Sequence, residues 1–108
     1  MLVLPIKKKW FDMIKSGEKK EEYREYNDYY ESRFYHLREK EIILNKQHLQ
    51  SIYIESLRYV LFRNGYRKDS PTIKCEVEIS LGYGKEEWGA EPNKLYYVLK
   101  ILSVEGIC

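Results

Sequence analysis

Three charged side chains that could act together on one ligand lie close in the chain, namely Lys19, Glu22 and Arg24. An arginine offers a planar fork of N–H donors to a phosphate or a carbonyl group. A glutamate can accept a hydrogen bond from the exocyclic amine of a base, or act as a general base. A lysine can hold a phosphate, or become a nucleophile or base where desolvation lowers its pKa. These residue types therefore suit either the binding or the hydrolysis of a polar ligand.

The positions of the three residues depend on a strand that we predict over residues 20–25. In a strand, Glu22 and Arg24 share one face and lie roughly 6.5–7 Å apart. Gly17 is expected to end the preceding helix, so a turn there could aim Lys19 at the same site. The alternative is a ladder of exposed salt bridges, each contributing about 0–1 kcal/mol to stability.

Further candidates lie outside this segment. Arg33, on a predicted second helix, could close the site over a phosphate or could be an ordinary exposed charge. Asn64, Gly65 and Tyr66 form a turn in which Tyr66 could stack on a base; simple hairpin chemistry, with Asn-Gly at positive φ, is the alternative. Trp88, in a Gly-rich loop, is either a stacking lid or part of the core, and core packing is the favoured interpretation.

Helical periodicity is confined mainly to the first part of the chain. Apolar residues recur at helical spacing over 5–16, with Pro5 at the first helical position. Asn27 or Asp28 is expected to cap a second helix that ends near residue 38. Residues 39–56 have mixed periodicity, and we predict irregular structure there with a short helix over 46–55.

Strands dominate the rest of the chain. Apolar and polar residues alternate cleanly in TIKCEVEISL, where Cys75 is expected to be a buried free thiol. The predicted strands besides that at 20–25 are residues 1–4, 57–64, 72–81 and 95–104. Helices followed by a run of strands indicate an α+β fold, with a strongly curved mixed sheet or small β-barrel flanked by two or three helices.

The composition indicates one soluble globular domain over residues 1–108, with 44% hydrophobic and 33% charged residues. The net charge of +2 does not indicate an extended basic face of the kind that grips duplex DNA. Because the N-terminus has the reverse order of a signal peptide and no apolar run approaches ~20 residues, we expect a cytoplasmic protein without membrane contact. His36 and His48 lack partners at metal-ligand spacing, so we expect no metal and no cofactor.

Several motifs in the same order resemble the ASCH domain family. The segment LPIKKKWFDMIKSGEKKEEYR meets the family pattern G-x-K-x-x-E-x-R with Gly17, Lys19, Glu22 and Arg24. Tyr30 and Arg33 resemble an aromatic-x-x-Arg segment, and FRNGY, residues 62–66, resembles a turn of a phage and bacterial subgroup. WGAEP and YYVLKI extend the resemblance over essentially the whole chain.

The resemblance implies a PUA-like β-barrel beside a cleft lined by the Lys, Glu and Arg of the pattern. It implies RNA or nucleotide-like ligands. In family members that hydrolyse acetylated cytidine, a lysine at the position of Lys19 is catalytic and a threonine stands at the position of Glu22. This chain departs from the amidohydrolase pattern at that second position.

Three functions remain open at this point. The first is binding of RNA or of a nucleotide-like ligand, such as a modified nucleoside, by Lys19, Glu22, Arg24, Arg33, Asn64 and Tyr66. The second is metal-independent hydrolysis of an acylated nucleoside or of RNA, with Lys19 and Glu22 as catalytic groups. The third is a protein-interaction domain. The sequence leaves the oligomeric state open.

Overall fold

The computed structural model describes residues 2–34 and 53–107. Its strands are β1 (Leu2–Pro5), β2 (Glu21–Glu25), β3 (Tyr53–Arg63), β4 (Thr72–Tyr83) and β5 (Leu95–Ile107). Helix α1 spans Lys8–Ser16, helix α2 is described over residues 28–34, and a short 3-10 helix spans Glu86–Trp88. The expected α+β class, with a curved mixed sheet and flanking helices, is confirmed.

The five strands form one sheet in the order β1-β3-β4-β5-β2. β1 pairs with β3 in parallel, whereas the other neighbours are antiparallel. The register shifts between Ile54 and Arg58 in β3, and between Glu76 and Val77 in β4. Such irregularities bend and twist a sheet, and this one curves into a half-barrel. In the strand order given above, β1 and β2 are the two edge strands.

One face of the sheet carries the main core. The predicted apolar face of β4 is confirmed, since Ile73, Cys75, Val77, Ile79 and Leu81 are all buried. A buried aliphatic side chain of this size contributes roughly 1.5–3 kcal/mol relative to an exposed one. Helix α1 adds its own buried side chains to the same cluster. The alternation in the sequence thus decides which face of the sheet is covered.

The first helix starts later than predicted. Pro5 is the last residue of β1, and α1 begins at Lys8. An edge strand tolerates proline, because the missing N–H costs no ladder bond on the open side. The next amide, of Ile6, donates to the carbonyl of Arg63 at 2.9 Å, so the extended pairing continues past Pro5. The predicted stop is confirmed: Gly17 has φ +88 and its N–H donates to the carbonyl of Ile14.

Helix α2 is capped by Asn27, the first of the two predicted candidates. The side-chain oxygen of Asn27 accepts the N–H of Tyr30 at 3.0 Å, and its carbonyl accepts the N–H of Glu31 at 2.8 Å. An N-cap of this kind satisfies a backbone donor that the helix itself cannot use. The predicted end of the helix, at residues 35–38, lies outside the described residues.

The helix predicted over 46–55 is wrong at its end, where the structure has a strand. β3 begins at Tyr53, and its first residues pair with Ser80 and Ile79 of β4. Pairing with β4 therefore makes this segment a strand, although its mixed apolar periodicity did not indicate one. Residues 39–52 lie outside the described part of the chain. β4 and β5 extend past their predicted ends at residues 81 and 104, to Tyr83 and Ile107.

Candidate functional site

Lys19, Glu22 and Arg24 form one buried ionic cluster. The Nζ of Lys19 lies 3.3 Å from Oε1 of Glu22. The other carboxylate oxygen, Oε2, accepts a hydrogen bond from Arg24 Nε at 3.0 Å and lies 2.8 Å from Nη2. The side chains are 0%, 9% and 9% exposed, respectively. The surface-ladder interpretation is therefore wrong for this segment, and the cluster carries a formal charge of +1 in the protein interior.

Strand pairing puts two of these charges on the core face. Glu22 lies opposite Leu99 and Arg24 opposite Tyr97 in the β2–β5 register. Leu99 and Tyr97 are both fully buried, so the face they share with Glu22 and Arg24 is the one that carries the core. The predicted alternation of β2 is confirmed. Because β2 is an edge strand, the charges lie at the rim of the core, beside the end of β1.

Lys19 is held from several sides. Its Nζ donates to the carbonyl oxygen of Trp88 at 2.5 Å and lies 4.8 Å and 5.0 Å from the rings of Trp10 and Tyr23. Burial lowers the pKa of Lys19, and the neighbouring Glu22 carboxylate opposes that shift. The aromatic faces and the carbonyl supply partial negative charge that favours the ammonium form. Burial therefore favours the neutral amine of Lys19, whereas the Glu22 carboxylate, the aromatic rings and the Trp88 carbonyl favour the ammonium form.

Arg24 joins the two edges of the half-barrel. Its Nη2 donates to the carbonyl oxygen of Pro5 at 2.9 Å, although β1 and β2 are at opposite ends of the strand order. Its Nη1 donates to the hydroxyl of Tyr30 at 3.2 Å. Only a guanidinium, with its five N–H donors in one plane, reaches a carboxylate, a carbonyl and a hydroxyl at once. Arg24 therefore connects the two edge strands of the fold and also forms part of the site.

A cleft of about 420 Å³, named here the first cleft, opens above the buried charges. Its lining includes Glu22 and Arg24 as charged groups. It also includes five aromatic side chains, each from a different element, namely Trp10, Tyr23, Tyr30, Trp88 and Tyr96. Its volume lies in the range usual for small-molecule sites, about 300–1,000 Å³. Aromatic walls around a pair of opposite charges suit a flat ligand with polar edges.

The loop between β4 and β5 forms one wall of the first cleft. The amide of Lys85 donates to the hydroxyl of Tyr23 at 2.9 Å, and that hydroxyl donates to Glu21 at 2.7 Å. Burial raises the pKa of Tyr23, which keeps the hydroxyl protonated in this arrangement. Trp88 is half-buried and lines the cleft, so its predicted place in the core is wrong. The loop covers the Lys19 ammonium through the Trp88 carbonyl.

Close packing in this loop requires glycine at two positions. A Cβ on Gly84 would lie 2.6 Å from the ring of Tyr23 and 2.7 Å from the Cβ of Ala90. Gly89 has φ +103, and a Cβ there would lie 3.0 Å from the ring of Trp10. Glycine permits both the positive φ and the close approach. The loop thus packs directly on two of the aromatic rings that surround Lys19.

A second cleft, of about 480 Å³, adjoins the first. It is lined by Asn64, Gly65 and Tyr66 together with Lys7, and it shares Arg24 with the first cleft. Asn64 Nδ2 donates to the carbonyl of Ile6 at 3.0 Å, which ties the turn to the β1–α1 connection. Asn64 and Tyr66 therefore lie beside the charge cluster in space, although about forty residues separate them in the chain.

Lys19, which is buried next to Glu22, lines neither cleft, and Arg33 lies apart from both. Its guanidinium stacks 3.6 Å from the ring centre of Tyr29, and its Nη1 donates to the Tyr29 carbonyl. The side chain is exposed on α2. The arrangement is that of the alternative interpretation, an exposed charge on the helix surface.

Sequence reasoning missed several contributors to the site. Pro5 acts through its carbonyl oxygen, which no side-chain pattern reveals. Trp10 and Tyr96 were interpreted only as parts of a helix and a strand, yet both line the first cleft. The one available signal was the position of Trp10, a large ring that directly follows a run of three lysines, residues 7–9.

Residues 2–34 and 53–107 contain no group of three His, Cys, Asp or Glu side chains arranged to hold a metal ion. Within the same ranges, no helix has the length and apolar character to cross a membrane. His36 and His48 lie outside these ranges. Comparisons of the chain with protein-family models, with curated proteins and with solved structures gave no significant match.

Proposed function

We propose that this chain binds a nucleoside-type ligand in the first cleft, either as a free nucleoside or nucleotide or as one unit of single-stranded RNA. One observation carries the proposal: aromatic rings surround a buried carboxylate–guanidinium pair in a cleft of about 420 Å³. Every nucleobase has a flat face for stacking and a polar edge for hydrogen bonding. In the first cleft, the aromatic rings suit the flat face of a base, and Glu22 and Arg24 suit its polar edge.

Glu22 and Arg24 are the groups that would read the polar edge. A carboxylate accepts a hydrogen bond from an exocyclic amine, such as that of cytosine, and repels the carbonyl that uracil has in its place. Arg24 donates hydrogen bonds to Glu22, Pro5 and Tyr30 among the described residues. A guanidinium has five N–H donors, more than these three bonds use, which suits it to a ligand carbonyl or phosphate as well.

The resemblance to the ASCH family supports the same ligand class. The pattern G-x-K-x-x-E-x-R implied a cleft lined by its Lys, Glu and Arg; in this chain Glu22 and Arg24 line the first cleft, whereas Lys19 is buried next to Glu22 and does not line it. We propose accordingly that the half-barrel is a PUA-like fold of the ASCH type. The curvature of the sheet and the helices beside it are compatible with that assignment.

Tryptophan fluorescence provides a direct test, because the two tryptophans of the chain both line the first cleft. We expect cytidine to quench this emission in a saturable way, and uridine to bind about tenfold more weakly, the effect of one lost base-edge contact. Ribose 5-phosphate, which has no base, is the ligand control. If no nucleoside changes the emission at millimolar concentration, the proposal fails.

A matched pair of variants locates the effect in the cleft. Tyr30→Leu removes a ring that lines the first cleft, and Tyr29→Leu removes an exposed neighbour that does not. Loss of one stacking ring is expected to weaken cytidine binding about 5- to 100-fold. Equal affinity in the two variants would contradict stacking in this cleft. Thermal unfolding of both variants checks that each remains folded.

Metal-independent hydrolysis of an acylated nucleoside or of RNA is the second candidate. It is favoured by the 3.3 Å contact between Lys19 and Glu22 and by the lowered pKa of the buried amine. A neutral amine in this place could accept a proton from an attacking water. However, the side chain of Lys19 is 0% exposed and its Nζ is covered by the Trp88 carbonyl, so the reaction requires the β4–β5 loop to move.

Acetylated cytidine is the substrate that tests this candidate. Turnover by the wild-type chain that is lost in Lys19→Ala, with cytidine binding retained, would establish catalysis. Binding without turnover would leave the first proposal intact and remove the second.

A further inference from the structure

We infer that the second cleft is a subsite for the phosphate and the next base of the same ligand, so that the preferred ligand is an oligonucleotide at least two units long. This inference rests on the proposed function of the first cleft. It goes beyond that function, because a single nucleoside would occupy only the first cleft and would leave the second cleft without a role.

The two clefts are continuous around one group of residues. They share Pro5, Ile6, Lys7, Arg24 and Tyr30 in their linings. The hydrogen bond between Arg24 Nη1 and the Tyr30 hydroxyl lies at this junction. A ligand that occupied both clefts would therefore pass over a guanidinium and a lysine at its midpoint. In a dinucleotide, the midpoint is the phosphate.

Charge distinguishes the two clefts. Two carboxylates, those of Glu22 and Glu25, line the first cleft alongside Lys7 and Arg24. The lining of the second cleft retains Lys7 and Arg24 and, among the described residues, contains no acid. The second cleft is therefore the more attractive place for an anion, whereas the first suits the neutral base. This division matches the order of base and phosphate along a nucleotide chain.

Tyr66 supplies a stacking surface at the far side of the second cleft. Its side chain is 90% exposed, so the face of its ring is open to stack on a base. The turn that presents it is firmly held: Gly65 has φ +130, and a Cβ there would lie 2.5 Å from Oγ of Ser70. That hydroxyl oxygen also accepts the amide of Arg67 at 3.1 Å. A rigid turn presents the ring without a large ordering cost.

The test compares cytidine, its 3′- and 5′-monophosphates and the dinucleotide CpC, by the same fluorescence titration over a series of NaCl concentrations. One phosphate contact is expected to add a salt dependence of about 0.7 in log Kd against log[NaCl]. Stacking on Tyr66 is expected to give CpC a further gain of about 5- to 100-fold over the better monophosphate. The better monophosphate also reveals the direction of the chain.

Variants separate the two contributions. Tyr66→Ala should remove the gain of CpC and leave cytidine binding unchanged, whereas Tyr66→Phe should keep both. Tyr83→Ala is the matched control, since Tyr83 is also exposed and lines neither cleft. Lys7→Gln should reduce the salt dependence by about 0.7, and Lys15→Gln, on the same helix region but outside both clefts, should not.

The outcomes distinguish this inference from the proposed function. If cytidine binds but CpC binds no better than a monophosphate, the second subsite is refuted and the first cleft stands. An equal loss of CpC binding in Tyr66→Ala and Tyr83→Ala refutes the role of Tyr66. If neither cytidine nor CpC binds, both proposals fall together.

Discussion

Replacement of Glu22 by glutamine is the sharpest perturbation that the structure offers. The change keeps the shape of the side chain and removes its charge. Lys19 and Arg24 would then remain as two buried cations beside a neutral amide. We expect the variant to fold, but with a large loss in the free energy of unfolding.

The magnitude follows from the contacts of Glu22. Its carboxylate lies 3.3 Å from the Lys19 ammonium and 2.8 Å from the Arg24 guanidinium. At an effective dielectric constant of about 20, each attraction is roughly 4–6 kcal/mol before desolvation is subtracted. Removing one partner of a buried ion pair typically costs about 3–5 kcal/mol. A loss near 3 kcal/mol would lower Tm by about 12–24 °C in a domain of this size.

The pH dependence adds a second, independent signature. In the variant, Lys19 loses the neighbour that raises its pKa, so burial lowers the pKa further. The folded chain then releases this proton at a lower pH than the unfolded chain, whose lysine keeps it up to about 10.5. Stability rises with pH wherever the unfolded state binds more protons. The deficit of the variant should therefore be largest near about pH 6 and shrink towards about pH 9.

Urea unfolding followed by circular dichroism, at the two pH values, measures this deficit. Glu105→Gln is the matched control, since Glu105 is exposed and its ion pair with Lys74 is long, at 4.0 Å. The free energy of unfolding of this control is expected to change by less than about 0.5 kcal/mol. The double variant Lys19→Met with Glu22→Gln removes both charges and should lack the pH-dependent part. A deficit below about 1 kcal/mol, or one that does not change with pH, would refute the account of a buried coupled cluster.

Two further predictions concern packing and alkaline pH. Gly84→Ala should lower the free energy of unfolding in urea by about 1–3 kcal/mol, because the added Cβ would overlap the Tyr23 ring. Gly82→Ala is the control and should be nearly neutral, since the nearest atom to its Cβ is 3.8 Å away; equal effects of the two changes would contradict the loop packing. Burial raises the pKa of Cys75 from 9.0 to about 12, so the unfolded chain ionises first and stability should fall as pH rises through about 9. Between about pH 7.5 and 9.5 this contribution is about 0.8 kcal/mol, and Cys75→Ala should lack it; an identical fall in the variant would assign it to other groups.

The strand content and the charged site were predictable in part because both rest on local alternation. Period-2 spacing in residues 72–81 predicted a buried face, and the same spacing put Glu22 and Arg24 on one side of β2. The stop at Gly17 was predictable from its freedom at positive φ. The start of β3 at Tyr53 was not, since a segment with mixed periodicity becomes a strand only through its partner.

The sequence by itself determined that Lys19 follows a helix stop and that Glu22 and Arg24 share one face of a short strand. It did not determine that they are buried, because a charged strand pattern looks the same on a solvated sheet. The tertiary structure decided this by placing β2 beside β5 and curving the sheet until Arg24 reaches the carbonyl of Pro5. The same curvature brings Trp88 over Lys19 and the turn at Tyr66 beside Arg24. Contacts between residues far apart in sequence arise from strand order and curvature, which no local pattern specifies.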